Sequence, residues 1–110
     1  MEKYKGTIIE NSLQDKNILT ELEITNTHHF HDWVLHDVLV SKEQIKSLGH
    51  YLNGGAWYMH FWIPGQDTAI VVFKDKDFEI KLSDKLSWIE AITYGKSVGI
   101  PEEQLDFIVS

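Results

Sequence analysis

Six of the 110 residues are histidine, and their placement frames the chemistry open to the chain. Three fall in His28-His29-Phe30-His31-Asp32. In extended backbone, His29 and His31 point to one side, with Asp32 beside them. Two imidazoles at that spacing could hold Zn²⁺ or Ni²⁺ once a third ligand is supplied, by His36 or His60. The competing reading is a solvated bend that is merely rich in histidine. With six imidazoles, surface charge should change between about pH 5 and 8.

His36 and His60 lie in segments with strong strand propensity, Trp33 to Val40 and Trp57 to Trp62. If those strands are neighbours, the two imidazoles share a face with Tyr58 and Trp62. Such a face could line a small-molecule pocket or do acid–base work, because imidazole titrates near neutrality. The ligand-binding candidates are therefore His36, Tyr58, His60 and Trp62; the metal candidates are His29 and His31. The packing alternative makes Trp57, Met59 and Phe61 core, and leaves Tyr58, His60 and Trp62 as a partly exposed face or dimer contact. An exposed aromatic face itself marks an interaction surface.

The elements that must position these residues follow from periodicity and turn chemistry. Lys5 to Asn11 reads as a short strand, and Ser12 to Asn17 as a polar turn. Ile18 to Thr27 is ambiguous between strand and short helix, ending as strand at Ile24-Thr25-Asn26-Thr27. In Trp33–Val40, alternation puts Val34, His36, Val38 and Val40 on one side, while Asp37 brings the opposite side toward solvent. Ser41-Lys42-Glu43-Gln44 has the form of a capping box, and Ile45, Leu48 and Leu52 continue at helical spacing. Asn53-Gly54-Gly55 ends that helix. Trp57–Trp62, Thr68–Phe73 and Phe78–Leu82 form a meander with turns at Ile63–Asp67 and Lys74–Asp77. Ser87-Trp88-Ile89-Glu90 is a second capping box, opening a helix whose stripe is Trp88, Ala91 or Ile92, Gly95 and Val98. Gly99 and Pro101 stop it. Pro101 to Gln104 allows one more turn, with Leu105 and Phe107 pinning the tail to the body.

Residues 1–110 read as a single α+β domain: a mainly antiparallel sheet of about five strands with two principal helices on one face. The apolar fraction (43%) and charged fraction (25%) are those of an ordinary globular chain. The chain has no cysteine, which removes disulfides, thiolate metal sites and a thiol nucleophile. The formal net charge is −7, and all ten basic residues are scattered lysines. Nucleic-acid backbones call for clustered Lys and Arg, so direct nucleic-acid binding is not expected. No stretch approaches the ~18 apolar residues of a membrane span, and no signal-like run opens the chain. The expected location is cytoplasmic. No phosphate loop and no serine-nucleophile elbow occurs, and no cofactor is expected.

Several words of the sequence carry a likeness: Lys5-Gly6-Thr7-Ile8-Ile9-Glu10-Asn11-Ser12-Leu13, Trp33-Val34-Leu35-His36, Trp57-Tyr58-Met59-His60-Phe61-Trp62, Ile70-Val71-Val72-Phe73-Lys74-Asp75-Lys76, and the tail from Tyr94 to Phe107. With these, the chain resembles a family of small, conserved prokaryotic hypothetical proteins. The resemblance implies no substrate, cofactor or catalytic residue. The leading expectation is a non-enzymatic small-molecule- or protein-binding module, with a homodimer or another protein as partner. The alternative is a small metal-dependent or histidine acid–base enzyme.

Overall fold

A computed structural model describes residues 3–54 and 56–105. The strands are β1 (Tyr4–Ile9), β2 (Glu23–Phe30), β3 (Trp33–Val40), β4 (Met59–Trp62), β5 (Thr68–Phe73) and β6 (Lys76–Lys81). The helices are α1 (Lys42–Leu48) and α2 (Ile89–Ser97). The strands form one antiparallel sheet of six, in the order β2-β3-β1-β4-β5-β6. The α+β class and antiparallel sheet are those the sequence predicts, with β2 as a strand in its own right.

The two helices do not share a face. Successive strand residues point to opposite sides, and β5 shows both destinations. Ile70 and Val72 join the core beneath α1, with Ile45, Leu48, Ile8, Val38 and Phe61. Ala69, Val71 and Phe73 join a second core beneath α2, with Ile80, Trp88 and Ala91. Expecting both helices on one face was wrong. Periodicity identifies each helix's apolar stripe but not the sheet side it meets.

Local chemistry explains the helix ends. The Ser41 box forms as expected: the Gln44 N–H donates to Ser41 Oγ at 3.2 Å and the Ser41 N–H to Gln44 Oε1 at 2.8 Å. α1 stops at Leu48, and a 3₁₀ turn carries the chain to Tyr51. The Ser87–Glu90 box does not form. Ser87 Oγ accepts from the Lys81 N–H at 2.9 Å, and Asp84 instead caps a 3₁₀ turn (Lys85–Trp88) that leads into α2. Past α2, Gly99 has φ +97, while the Ile100 N–H donates to the Gly95 carbonyl and the Gly99 N–H to that of Lys96. This closes the helix C-terminus, where glycine tolerates the left-handed backbone. Leu105 is buried in the second core; Phe107 lies outside the described residues.

The β2 edge and the interior of the sheet differ. β2 is an edge strand with all eight residues exposed, and its pairing to β3 is interrupted by a register shift between Ile24 and Asn26. β3 is half buried, and β5 is buried from Ala69 onward. Between β3 and β5 lie β1 and β4. Gly6 sits where these two strands touch, and a Cβ there would lie 2.3 Å from Phe61 Cδ1. Glycine at this position lets the Phe61 ring lie flat on β1.

Candidate functional site

β1 and β4 separate soon after they meet. Among the described residues their ladder holds the register pairs Lys5–Trp62 and Gly6–Phe61. Beyond them β1 continues through Thr7 to Ile9, paired with Asp37 to Leu35 of β3. The chain leading into β4 runs away from it. A cleft of about 550 Å³ opens in the gap. β1 and β3 supply its floor with Thr7, Ile9 and Leu35; Ala56, Trp57, Tyr58, Met59 and His60 form the facing wall; Trp33 and Gln104 stand at its margins.

Tyr58 and His60 are two of the residues singled out from sequence, and both line this cleft. Alternation places Tyr58, His60 and Trp62 on the α2 side of the sheet, opposite Met59 and Phe61, which are buried beneath α1. All three are partly buried. Their rings stack in a row: Tyr58 to His60 at 6.4 Å and 26°, and His60 to Trp62 at 5.4 Å and 28°. The Tyr58 hydroxyl donates to the Gln104 carbonyl, tying this wall to the segment after α2. Trp62 lines an adjoining shallow groove with Lys5, Thr7 and Asp37. There the Thr7 hydroxyl donates to Asp37 Oδ1 at 2.8 Å.

His36 is elsewhere. It pairs with Ile8 across β1 and shares the α1 side with Val38 and Val40. His36 and His60 therefore occupy opposite faces of the sheet, which removes a shared acid–base pocket. His36 is 8% exposed and bonded at both ring nitrogens: Nδ1 lies 2.9 Å from Thr27 Oγ1, and Nε2 lies 3.0 Å from Glu10 Oε1. A carboxylate only accepts, so Nε2 carries a proton; neutral imidazole then accepts from the Thr27 hydroxyl at Nδ1. The His36 hydrogen bond holds the Glu10 carboxyl below its usual range; burial opposes this, and Lys16 helps. The set has the components of a nucleophile–base–acid relay. It lies across the sheet from the cleft, and it joins β3, the edge strand and the turn after β1. We read it as a clamp.

The expected metal pair does not form either. β2 ends at Phe30, paired with Trp33, and His31-Asp32 is the connecting turn, with His31 at φ +56. The extended geometry that would align His29 with His31 stops one residue short. Among the described residues, no group of three or more His, Asp or Glu side chains is placed to hold a metal ion.

Trp33, which lies across β1 from the cleft's other wall, carries little signal in the sequence. It is 41% exposed, and its ring centroid is 5.8 Å from that of Trp57, with the planes at 60°. A large aromatic opening a strand beside a two-residue turn was the available signal. Comparison with protein-family models, curated proteins and solved structures finds no match to this chain. No helix of the described residues is long and apolar enough to cross a membrane.

Proposed function

We propose that this chain is a non-enzymatic binding module whose ligand is a small molecule seated where β1 and β4 part. One observation carries the reading: the ladder holds two register pairs, and the space beyond is lined by aromatic side chains rather than filled by them. A pocket of several hundred Å³ that is mostly apolar, with a few convergent polar groups, is the usual form of a small-molecule site. Here the polar groups are Thr7, His60 and Gln104. An acid–base or metal-dependent role draws no comparable support, since His36 faces away and the His29–His31 alignment is broken by the turn.

Titration with neutral aromatic probes, indole and benzyl alcohol, tests this in ¹H–¹⁵N spectra of the protein. The expected result is saturable movement of the Trp33 and Trp57 indole N–H signals, lost in Trp57→Leu. Movement spread evenly over the surface, or unchanged in Trp57→Leu, would sink the proposal.

A further inference from the structure

The cleft's charge and ring geometry narrow its ligand class, taking the binding-module reading as the starting point. Among the described residues the lining contains no Lys, Asp or Glu. An anionic ligand would find no cation there, on a chain of net charge −7. In the adjoining groove Lys5 and Asp37 offset one another. The field that remains is that of the whole acidic chain, which favours a cation.

Trp33 and Trp57 then decide what kind. Their indole planes meet at 60° with centroids 5.8 Å apart, a tilted pair rather than a parallel stack, and both rings line the cleft. Tyr58 lies along the same wall. Indole is the strongest ring partner for a cation, effective within about 6 Å of the centroid. A primary ammonium is strongly hydrated and demands acceptors. Among the described lining residues no carboxylate answers it: the polar groups are neutral ones, the Gln104 carbonyl that also receives the Tyr58 hydroxyl, the Thr7 hydroxyl that donates to Asp37, and the His60 ring. A trimethylammonium loses its water more cheaply and needs no acceptor. We propose that the cleft takes a small organic cation with a quaternary methylammonium head, seated against Trp33 and Trp57.

The test is a tryptophan-fluorescence titration of the protein with choline and with 3,3-dimethylbutan-1-ol, its neutral carbon isostere, at matched low ionic strength. Choline should saturate and bind about tenfold more tightly than the isostere. Trp33→Leu should erase that preference, and Trp33→Phe should keep part of it. Circular dichroism establishes that each variant is folded, and Trp33 is exposed enough for substitution to be tolerated. Equal binding of the two compounds would overturn the cation assignment while leaving the cleft a binding site. So would binding of indole without binding of choline. Failure of all three compounds would overturn both readings.

Discussion

The sheet has a sealed half and an open half. In β5, alternate residues enter two different cores, one under each helix, so every residue from Ala69 to Phe73 is buried. In β2, none of the eight residues is buried. β3 lies between these extremes, with His36, Val38 and Val40 buried on the α1 side and the other side partly exposed. Stabilising apolar contact is therefore densest at β5, which feeds both cores, and thinnest at β2. The open half leaves an uncovered face on which a ligand can rest without displacing packed side chains. The cleft lies on the boundary.

This contrast can be broken by substitution. The largest effect belongs in the sealed half. Phe73 is 1% exposed and contacts the rings of Tyr58, Phe78 and Tyr94. Phe73→Ala should cost about 3–5 kcal/mol in urea denaturation. A loss under about 1 kcal/mol would mean the second core is not a packed unit. Next is the boundary. Gly6→Ala sets a methyl 2.3 Å from the Phe61 ring and 2.9 Å from the His60 carbonyl oxygen. Overpacking of this kind should cost about 1–3 kcal/mol. It should also disturb cleft signals more than Phe73→Ala disturbs those of β2.

A smaller effect belongs to the clamp on the open half. Glu10→Gln should cost about 1 kcal/mol at neutral pH, allowing for the partial exposure of the carboxylate. Because the folded-state carboxyl is held below its usual range, its contribution is full above the unfolded value and is lost as pH falls through the lowered folded one. The gap between wild type and Glu10→Gln should therefore close in acid. A gap that stays constant down to pH about 2 would refute the His36–Glu10 coupling. The smallest effect is expected on the edge itself: Ile24→Thr should change stability by no more than about 0.5 kcal/mol. A larger loss would show that β2 is covered in solution, and sedimentation would then reveal by what.

Much of the architecture was legible because its signals are local. Trp33–Val40 is an unbroken run of strand formers ending at Ser41, and it is β3 residue for residue. The Ser41–Gln44 box is complete within four residues. The misses were non-local. Ser87 fits a cap by sequence, but its hydroxyl is taken by Lys81 across a turn. His29 and His31 fit a ligand pair only until the hairpin turn intervenes at His31. His36 and His60 are equally strand-like, and only the register of β1 against both neighbours puts them on opposite faces. The cleft was invisible for the same reason: it depends on two strands some fifty residues apart failing to stay paired.

That brief pairing also bears on the order of events. The β2–β3 hairpin and the β4–β5–β6 meander are each built from neighbours in sequence, and β1 is the strand lying between them. Local hairpins close quickly, whereas contacts between distant segments carry the larger loop-closure cost. Docking of β1 onto β4 is thus expected to be the late step, and the cleft exists only once it is complete. Opening of the same junction should be the lowest-energy excursion of the native sheet interior, read as faster amide exchange near Gly6 and Phe61 than at Ile70 or Val72. A ligand in the gap would slow that exchange first, acting as a wedge that holds the two subassemblies in register.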